Sequence, residues 1–141
     1  MLKRMFLLVF ALSFSCASAF AMCGTCGSEA GMKEGVKEIT YEQFMTIRDS
    51  GEGYALLDVL PAESYSAGHI EGAESFPLDT INEASAGQRL SKDAQIIVYC
   101  GSFQCSASTQ AAQKLSALGY NVLDYKGGLK DWQEKGSKLS P

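Results

Sequence analysis

Two cysteines five positions apart stand between an apolar run and a run of small residues that can begin a helix. The apolar residues 96–99 (IIVY) lead into Cys100, and Cys105 is followed by Ser, Ala and Ser. A thiolate is a nucleophile, and backbone N–H groups at the start of a helix lower the pKa of a thiol and hold an anion. A strand, a cysteine, a short loop and a helix would supply that environment. The same N–H groups would stabilise a persulfide, which is a cysteine that carries an added sulfur atom.

Three interpretations of Cys105 are open. The favoured one is a resolving thiol, which would attack a persulfide or sulfenic acid on Cys100, form a disulfide and release sulfide or water. Cys105 could instead protect Cys100 from over-oxidation, or be only a small apolar residue where the loop enters the helix. A position in the first helical turn would lower the pKa of Cys105 as well, so the better nucleophile of the two is left open.

The first 21 residues have the layout of a secretory signal peptide. A short basic start precedes the ten-residue apolar run at 5–14, and the small residues Ala19 and Ala21 flank Phe20. This pattern predicts cleavage after Ala21, with cleavage after Ala19 as the alternative, and a periplasmic or secreted protein.

Two other fates of this N-terminal segment are less favoured. An uncleaved membrane anchor would need a longer apolar run than residues 5–14 provide. Lipidation would need a Leu-small-small tripeptide before Cys16 or Cys23, and neither cysteine has one. We therefore expect no stable membrane association after cleavage.

A second pair of cysteines, Cys23 and Cys26, lies in residues 22–36, which are rich in glycine and small polar residues and predict a flexible linker. Their Cys-x-x-Cys spacing is that of a redox pair, which could reduce a Cys100–Cys105 disulfide or accept its sulfur. A tail disulfide without function is an equal alternative. Two thiolates with no His or further Cys nearby do not complete a tetrahedral metal site, so we predict no metal and no organic cofactor.

The distribution of charge argues against two kinds of partner, and the length indicates a single domain. The 141 residues carry a net charge of −4, and the 12 Lys and Arg residues form no cluster outside the N-terminal segment. This distribution argues against nucleic acid or an anionic membrane as the main partner. After cleavage, about 120 residues would remain, which suffices for one domain with a core, predicted at residues 37–138.

Strand and helix patterns alternate along this predicted domain. A capping box at residues 40–43 marks the first helix start, and a helical turn is expected at 81–86. Strands are predicted at 54–59, 73–76, 96–99 and 122–125, and helices at 41–49, 62–67, 106–118 and 129–134. This alternation predicts an α/β fold with a parallel sheet covered on both faces. Ligands bind at the carboxyl ends of such strands, where Cys100 follows the predicted central strand.

Four segments in this order resemble a rhodanese-like domain, and the likeness covers nearly all of residues 37–136. They are LLDVLPAESYSAGHIEGAESFPL (56–78), IIVYC (96–100), AAQKLSALGY (111–120) and YKGGLKDW (125–132). The resemblance implies a five-stranded parallel sheet with helices on both faces. It also implies a sulfurtransferase, in which a loop cysteine takes sulfur from a donor such as thiosulfate and passes it to a thiol or cyanide.

The resemblance also assigns roles to single residues. Cys100 matches the catalytic cysteine of the family, and His69 matches a mainly structural position. Asp58 matches a supporting position, where its carboxylate would accept hydrogen bonds from loop amides. The substrate-binding loop would consist of Gly101, Ser102, Phe103, Gln104 and Ser106.

The active loop departs from the common pattern of the family. It lacks the usual central glycine and the arginine before the helix, and Cys100 lies about two residues further upstream of the helix motif. Leu60 also replaces an arginine that often follows Asp58 and Val59. Without a cation in the loop, an oxyanion such as thiosulfate would rely on backbone N–H groups alone. A persulfide, a polysulfide or a protein thiol is therefore the more plausible sulfur-containing partner.

The favoured function is an exported sulfurtransferase that carries sulfane sulfur as a Cys100 persulfide. One alternative is a thiol–disulfide oxidoreductase or redox sensor that uses Cys100 and Cys105. Another is a catalytically inactive rhodanese-like binding module, which the missing arginine suggests. A phosphatase is disfavoured because the loop lacks the arginine that would hold a tetrahedral dianion.

Overall fold

The computed structural model describes residues 36–141, and the statements below concern that part of the chain. The predicted signal peptide (1–21), the predicted linker up to residue 35 and the pair Cys23 and Cys26 lie outside the described residues. No helix in the described part is long and apolar enough to cross a membrane.

Five parallel strands form one sheet, as the resemblance to rhodanese-like domains implies. In spatial order the strands are β1, β5, β4, β2 and β3. The most apolar segment is therefore central, because β4 pairs with β5 on one side and with β2 on the other. Their bounds are β1 (Lys37–Ile39), β2 (Tyr54–Asp58), β3 (Ala73–Ser75), β4 (Gln95–Tyr99) and β5 (Asn121–Tyr125).

Five α-helices connect these strands close to the predicted positions. They are α1 (Tyr41–Ser50), α2 (Ala62–Ala67), α3 (Glu83–Arg89), α4 (Ala107–Ala117) and α5 (Gly128–Glu134). The single turn expected at 81–86 is instead a 3-10 turn at Leu78–Thr80 followed by α3. Helix α3 begins later because Asn82 caps it, with its side chain accepting a hydrogen bond from the N–H of Ser85 at 3.0 Å.

The capping box before α1 is present as predicted. The hydroxyl of Thr40 accepts a hydrogen bond from the N–H of Gln43, and the Gln43 side chain accepts one from the N–H of Thr40. Together these bonds satisfy two of the free N–H groups at the helix start. At the other end of the described chain, residues beyond 138 join the domain, because Ser140 exchanges two backbone hydrogen bonds with His69.

Each face of the sheet has its own buried core, and the alternation along β4 decides which face receives the first cysteine. Ile96, Val98 and Cys100 pack on the face covered by α3 and α4. Ile97 and Tyr99 pack on the opposite face, against α1 and α5. Since side chains alternate along a strand, the Cys100 side chain lies on the same face of the sheet as Val98, which is the face that α4 covers.

Candidate active site

Cys100 follows the last residue of β4 and is fully buried. Its sulfur lies 3.4 Å from the hydroxyl of Ser108, in the first turn of α4, and 3.4 Å from the carbonyl oxygen of Cys105. Burial raises the pKa of the Cys100 thiol, and its hydrogen bond to the Cys105 sulfur raises it further. In its resting state this thiol is therefore a protonated hydrogen-bond donor.

The start of α5 holds the backbone around Cys100 in place. The N–H of Leu129 donates to the carbonyl of Cys100 at 3.0 Å, and the N–H of Lys130 donates to the carbonyl of Gly101 at 2.9 Å. These N–H groups lie at a helix start and have no partner within their own helix. Gly128 permits the close approach, because a Cβ there would overlap the Cys100 carbonyl and its φ is +59°. Helix α5 thus anchors the active loop.

Cys105 differs from Cys100 in both access and ionisation. Its side chain is partly exposed, and its own N–H donates to the carbonyl of Ser102 at 3.0 Å, which closes the loop as a turn. Partial burial acts to raise the pKa of Cys105. Hydrogen bonds from the Cys100 thiol and from the N–H groups of Ala107 and Gly101 outweigh burial, and the net pKa is lowered. Cys105 is therefore the more acidic thiol of the pair.

A lysine side chain from the end of the neighbouring strand reaches the cysteine loop, which has no basic residue of its own. Lys126 follows β5, and its Nζ donates to the carbonyl of Cys105 at 2.8 Å and to the hydroxyl of Thr109 at 2.8 Å. Its charge also lowers the pKa of Cys105. Lys126 thus brings a positive charge to the loop that the loop sequence itself does not contain.

A buried carboxylate lies behind this lysine. The hydroxyl of Thr109 donates to Oδ2 of Asp124 at 2.7 Å, which links Asp124 through Thr109 to Lys126. Asp124 is fully buried, and its Oδ1 has no hydrogen-bond partner within residues 36–141. Four residues of this site were not predicted from the sequence: Ser108, Thr109, Asp124 and Lys126. The sequence feature that could have identified Lys126 is its position one residue after β5, because that end of the strand lies at the same edge of the sheet as Cys100.

The remaining predicted loop residues surround Cys105 and face outward. The hydroxyl of Ser102 donates to the side-chain oxygen of Gln104 at 3.0 Å, and Ser106 precedes α4 as its capping residue. Phe103 is 58% exposed, an unusual state for a large apolar side chain. It lines a cavity of about 330 Å³ together with Lys126. These residues form the loop between β4 and α4, and their role in substrate binding stays a prediction.

Asp58 lies at the carboxyl end of β2 and is fully buried. Its Oδ1 accepts a hydrogen bond from the N–H of Leu60 at 2.9 Å, and its Oδ2 has no partner within the described chain. The amide that it binds therefore belongs to the loop after β2 and not to the cysteine loop. Burial raises the pKa of this carboxyl group above the ordinary 3.8.

Replacing Asp58 with asparagine is expected to stabilise the protein at pH 7. Because the folded-state pKa is raised, Asp58 favours folding most below the unfolded value of 3.8 and loses that contribution as the pH rises through the folded value. The asparagine side chain would keep an oxygen for the N–H of Leu60 without burying a charge. Urea unfolding at pH 7 and pH 3 checks this, and the advantage of the variant should shrink at pH 3. A variant that is less stable than the wild type at pH 7 would contradict the argument.

His69 is placed away from the cysteine loop, in a structural setting. Its Nδ1 lies 3.1 Å from the carbonyl oxygen of Tyr65, and its ring stacks on the Tyr65 ring with centroids 3.9 Å apart. These contacts agree with the structural role that the resemblance implies.

Comparison with known proteins agrees with the observed fold and finds a sulfurtransferase among the similar proteins. The rhodanese-like domain family matches residues 40–135. The thiosulfate sulfurtransferase PspE of Escherichia coli is 36% identical over 75 residues, which cover 53% of this chain and 70% of that protein. A crystal structure from Bacillus halodurans superposes with a TM-score of 0.68 at 34% identity, covering 77% of this chain and 80% of that one. An HTH-type transcriptional regulator of Mycobacterium tuberculosis is 32% identical over 98 residues, or 70% of this chain, but the match spans only 42% of the regulator.

Proposed function

Since this chain belongs to the rhodanese-like domain family, we propose that it is an exported sulfurtransferase that moves sulfane sulfur through a persulfide on Cys100. The observation that carries the proposal is the position of this thiol. Cys100 follows the central strand at the carboxyl edge of the sheet, and the loop before α4 and the start of α5 enclose it. The likeness to the thiosulfate sulfurtransferase PspE supports the reaction class.

The transfer has two steps that balance in atoms and electrons. A loop thiolate attacks the outer sulfur of a donor R–S–SH, the donor S–S bond breaks, and R–S⁻ leaves and takes up a proton. An acceptor thiolate then attacks the outer sulfur of the protein persulfide, and the loop cysteine leaves as a thiolate. The complete burial of Cys100 would shield its persulfide from water and from stray thiols between the two steps.

The donor that we propose is a persulfide, a polysulfide or a protein thiol that carries sulfane sulfur. The loop lacks an arginine that could bind an oxyanion through two parallel hydrogen bonds. Lys126 supplies one positive charge, but two of its donors are already used by Cys105 and Thr109. Thiosulfate, the donor in the name of PspE, is the competing candidate.

Sulfur loading of the purified protein tests the function. We expect a polysulfide or a low-molecular-weight persulfide to add one sulfur atom to a loop cysteine, visible by intact mass and removable with cyanide as thiocyanate. Thiosulfate should load more slowly at equal concentration. Failure of every donor to add sulfur would contradict the proposal.

A second candidate is a thiol–disulfide oxidoreductase or redox sensor, favoured by the contact between the two cysteines. Both cysteines are free thiols in the structure, and the Cys100 sulfur lies 3.4 Å from the carbonyl oxygen of Cys105, so the two residues are in direct contact. This function predicts a Cys100–Cys105 disulfide with a defined potential and no net sulfur uptake. An inactive binding module would show neither reaction.

Export is part of the proposal and rests on residues 1–21 alone. Their basic start, apolar run and small residues support a periplasmic or secreted location. N-terminal sequencing of the protein from the exported fraction should give Met22 as the first residue. Recovery of the uncleaved chain would contradict this part.

A further inference from the structure

The two loop thiols are not equally reachable. Cys100 has no exposed surface, whereas Cys105 is partly exposed beside the exposed Phe103. A donor from solvent therefore meets the sulfur of Cys105 first. To reach Cys100 directly, the donor would have to displace the loop that α5 anchors through the carbonyls of Cys100 and Gly101.

The polar groups around the loop also favour negative charge at Cys105. Burial acts to raise the pKa of Cys105, but hydrogen bonding from the Cys100 side chain and from the backbone at Ala107 and Gly101, together with the charge of Lys126, lowers the net pKa. Lys126 is fixed at the Cys105 carbonyl by the chain through Thr109 to the buried Asp124. By contrast, the Cys100 sulfur faces the carbonyls of Ser102 and Cys105, and those oxygens oppose a thiolate. The Ser108 hydroxyl, 3.4 Å away, acts in the opposite direction, but burial dominates and the pKa of Cys100 is raised.

We propose that Cys105 is the thiol that attacks the external sulfur donor and that it passes the sulfur atom inward to Cys100. This proposal rests on the proposed sulfur-transfer function and assigns its first step to a residue outside the family position. The Cys105 thiolate attacks R–S–SH, forms a new S–S bond and expels R–S⁻.

The second step moves the outer sulfur atom of the persulfide from Cys105 to Cys100. The Cys100 sulfur attacks the outer sulfur of the Cys105 persulfide, the bond between that sulfur and Cys105 breaks, and Cys100 becomes the persulfide. The proton of the Cys100 thiol goes to the departing sulfur of Cys105, a residue whose carbonyl oxygen lies 3.4 Å from the Cys100 sulfur. No oxidant or reductant is needed, because one S–S bond replaces another.

Single cysteine variants of the full protein separate the two steps. With a polysulfide donor at pH 7, Cys100→Ser should still take up one sulfur atom, and peptide mapping should place that atom on Cys105. Cys105→Ser should load at least several-fold more slowly, because only the buried thiol remains. Rapid quenching and intact mass give the rates, and circular dichroism confirms that both variants fold.

A measurement on the wild type avoids reliance on the variants. Brief treatment with iodoacetamide followed by peptide mapping should label Cys105 before Cys100. Equal loading by Cys105→Ser and the wild type, or earlier labelling of Cys100, would overturn the inward transfer while leaving the sulfurtransferase function intact. Absence of loading in the wild type with every donor would instead overturn the function on which the proposal rests.

Discussion

Replacing Gly128 with alanine is expected to abolish sulfur loading and to lower the free energy of unfolding by about 2–4 kcal/mol. Part of the cost is backbone strain, since a non-glycine residue at the φ of +59° seen here costs roughly 1–3 kcal/mol. The rest comes from the new Cβ, which would overlap the carbonyl oxygen of Cys100. That oxygen belongs to the backbone directly after the central strand, so it cannot move away without moving the loop.

The functional loss follows from the same contact. If α5 retreats from the loop, the N–H groups of Leu129 and Lys130 lose the carbonyls of Cys100 and Gly101. The loop would then no longer hold the two cysteines against each other. Both effects should appear together, as a lower midpoint in urea unfolding and as no sulfur added by a polysulfide.

Gly136→Ala is the matched control for Gly128→Ala. Gly136 also has a positive φ, +86°, but a Cβ there would have no neighbour within 4 Å. This variant carries the strain without the overlap, so we expect a loss of roughly 1–2 kcal/mol and normal sulfur loading. If Gly128→Ala loads sulfur as well as Gly136→Ala does, the anchoring of the loop by α5 is not required for function.

The sequence predicts the strand and the helix on either side of the cysteine loop, because both segments have a clear hydrophobic periodicity. The apolar run of β4 and the small-residue face of α4 both satisfy the periodicity of their elements, and the capping box fixes the start of α1. Strand β1 was missed for the opposite reason. Its three residues, Lys37–Ile39, include one buried side chain, and the strand exists only through its pairing with β5.

The sequence spacing of Cys100 and Cys105 does not show that one is buried and the other partly exposed, because that difference arises from tertiary packing. A separation of five residues places Cys100 and Cys105 in one loop, but packing of α4 and α5 decides which of them is buried. The charge at the loop comes from Lys126, which is 21 positions from Cys105 in the chain. It arrives there because β5 is adjacent to β4, and that adjacency is visible only in the sheet order.

Removal of the Lys126 charge should shift the reactivity of Cys105 to higher pH. In Lys126→Met we expect the alkylation rate of Cys105 at pH 7 to fall roughly three- to tenfold, the size typical of one partly screened charge near a thiol. The cause is the loss of a cation that lowers the pKa of Cys105 and whose Nζ binds the carbonyl of the same residue. The pH at which alkylation is half-maximal should therefore rise.

Two further variants identify the charge as the cause. Lys126→Arg keeps the positive charge and should restore most of the low-pH reactivity. Lys37→Met removes the same charge from an exposed position at the start of β1, and the pH profile should stay that of the wild type. Added salt should reduce the difference between Lys126→Met and the wild type, since it screens the interaction. A profile of Lys126→Met that coincides with the wild type would show that the hydrogen bonds within the loop alone make Cys105 acidic.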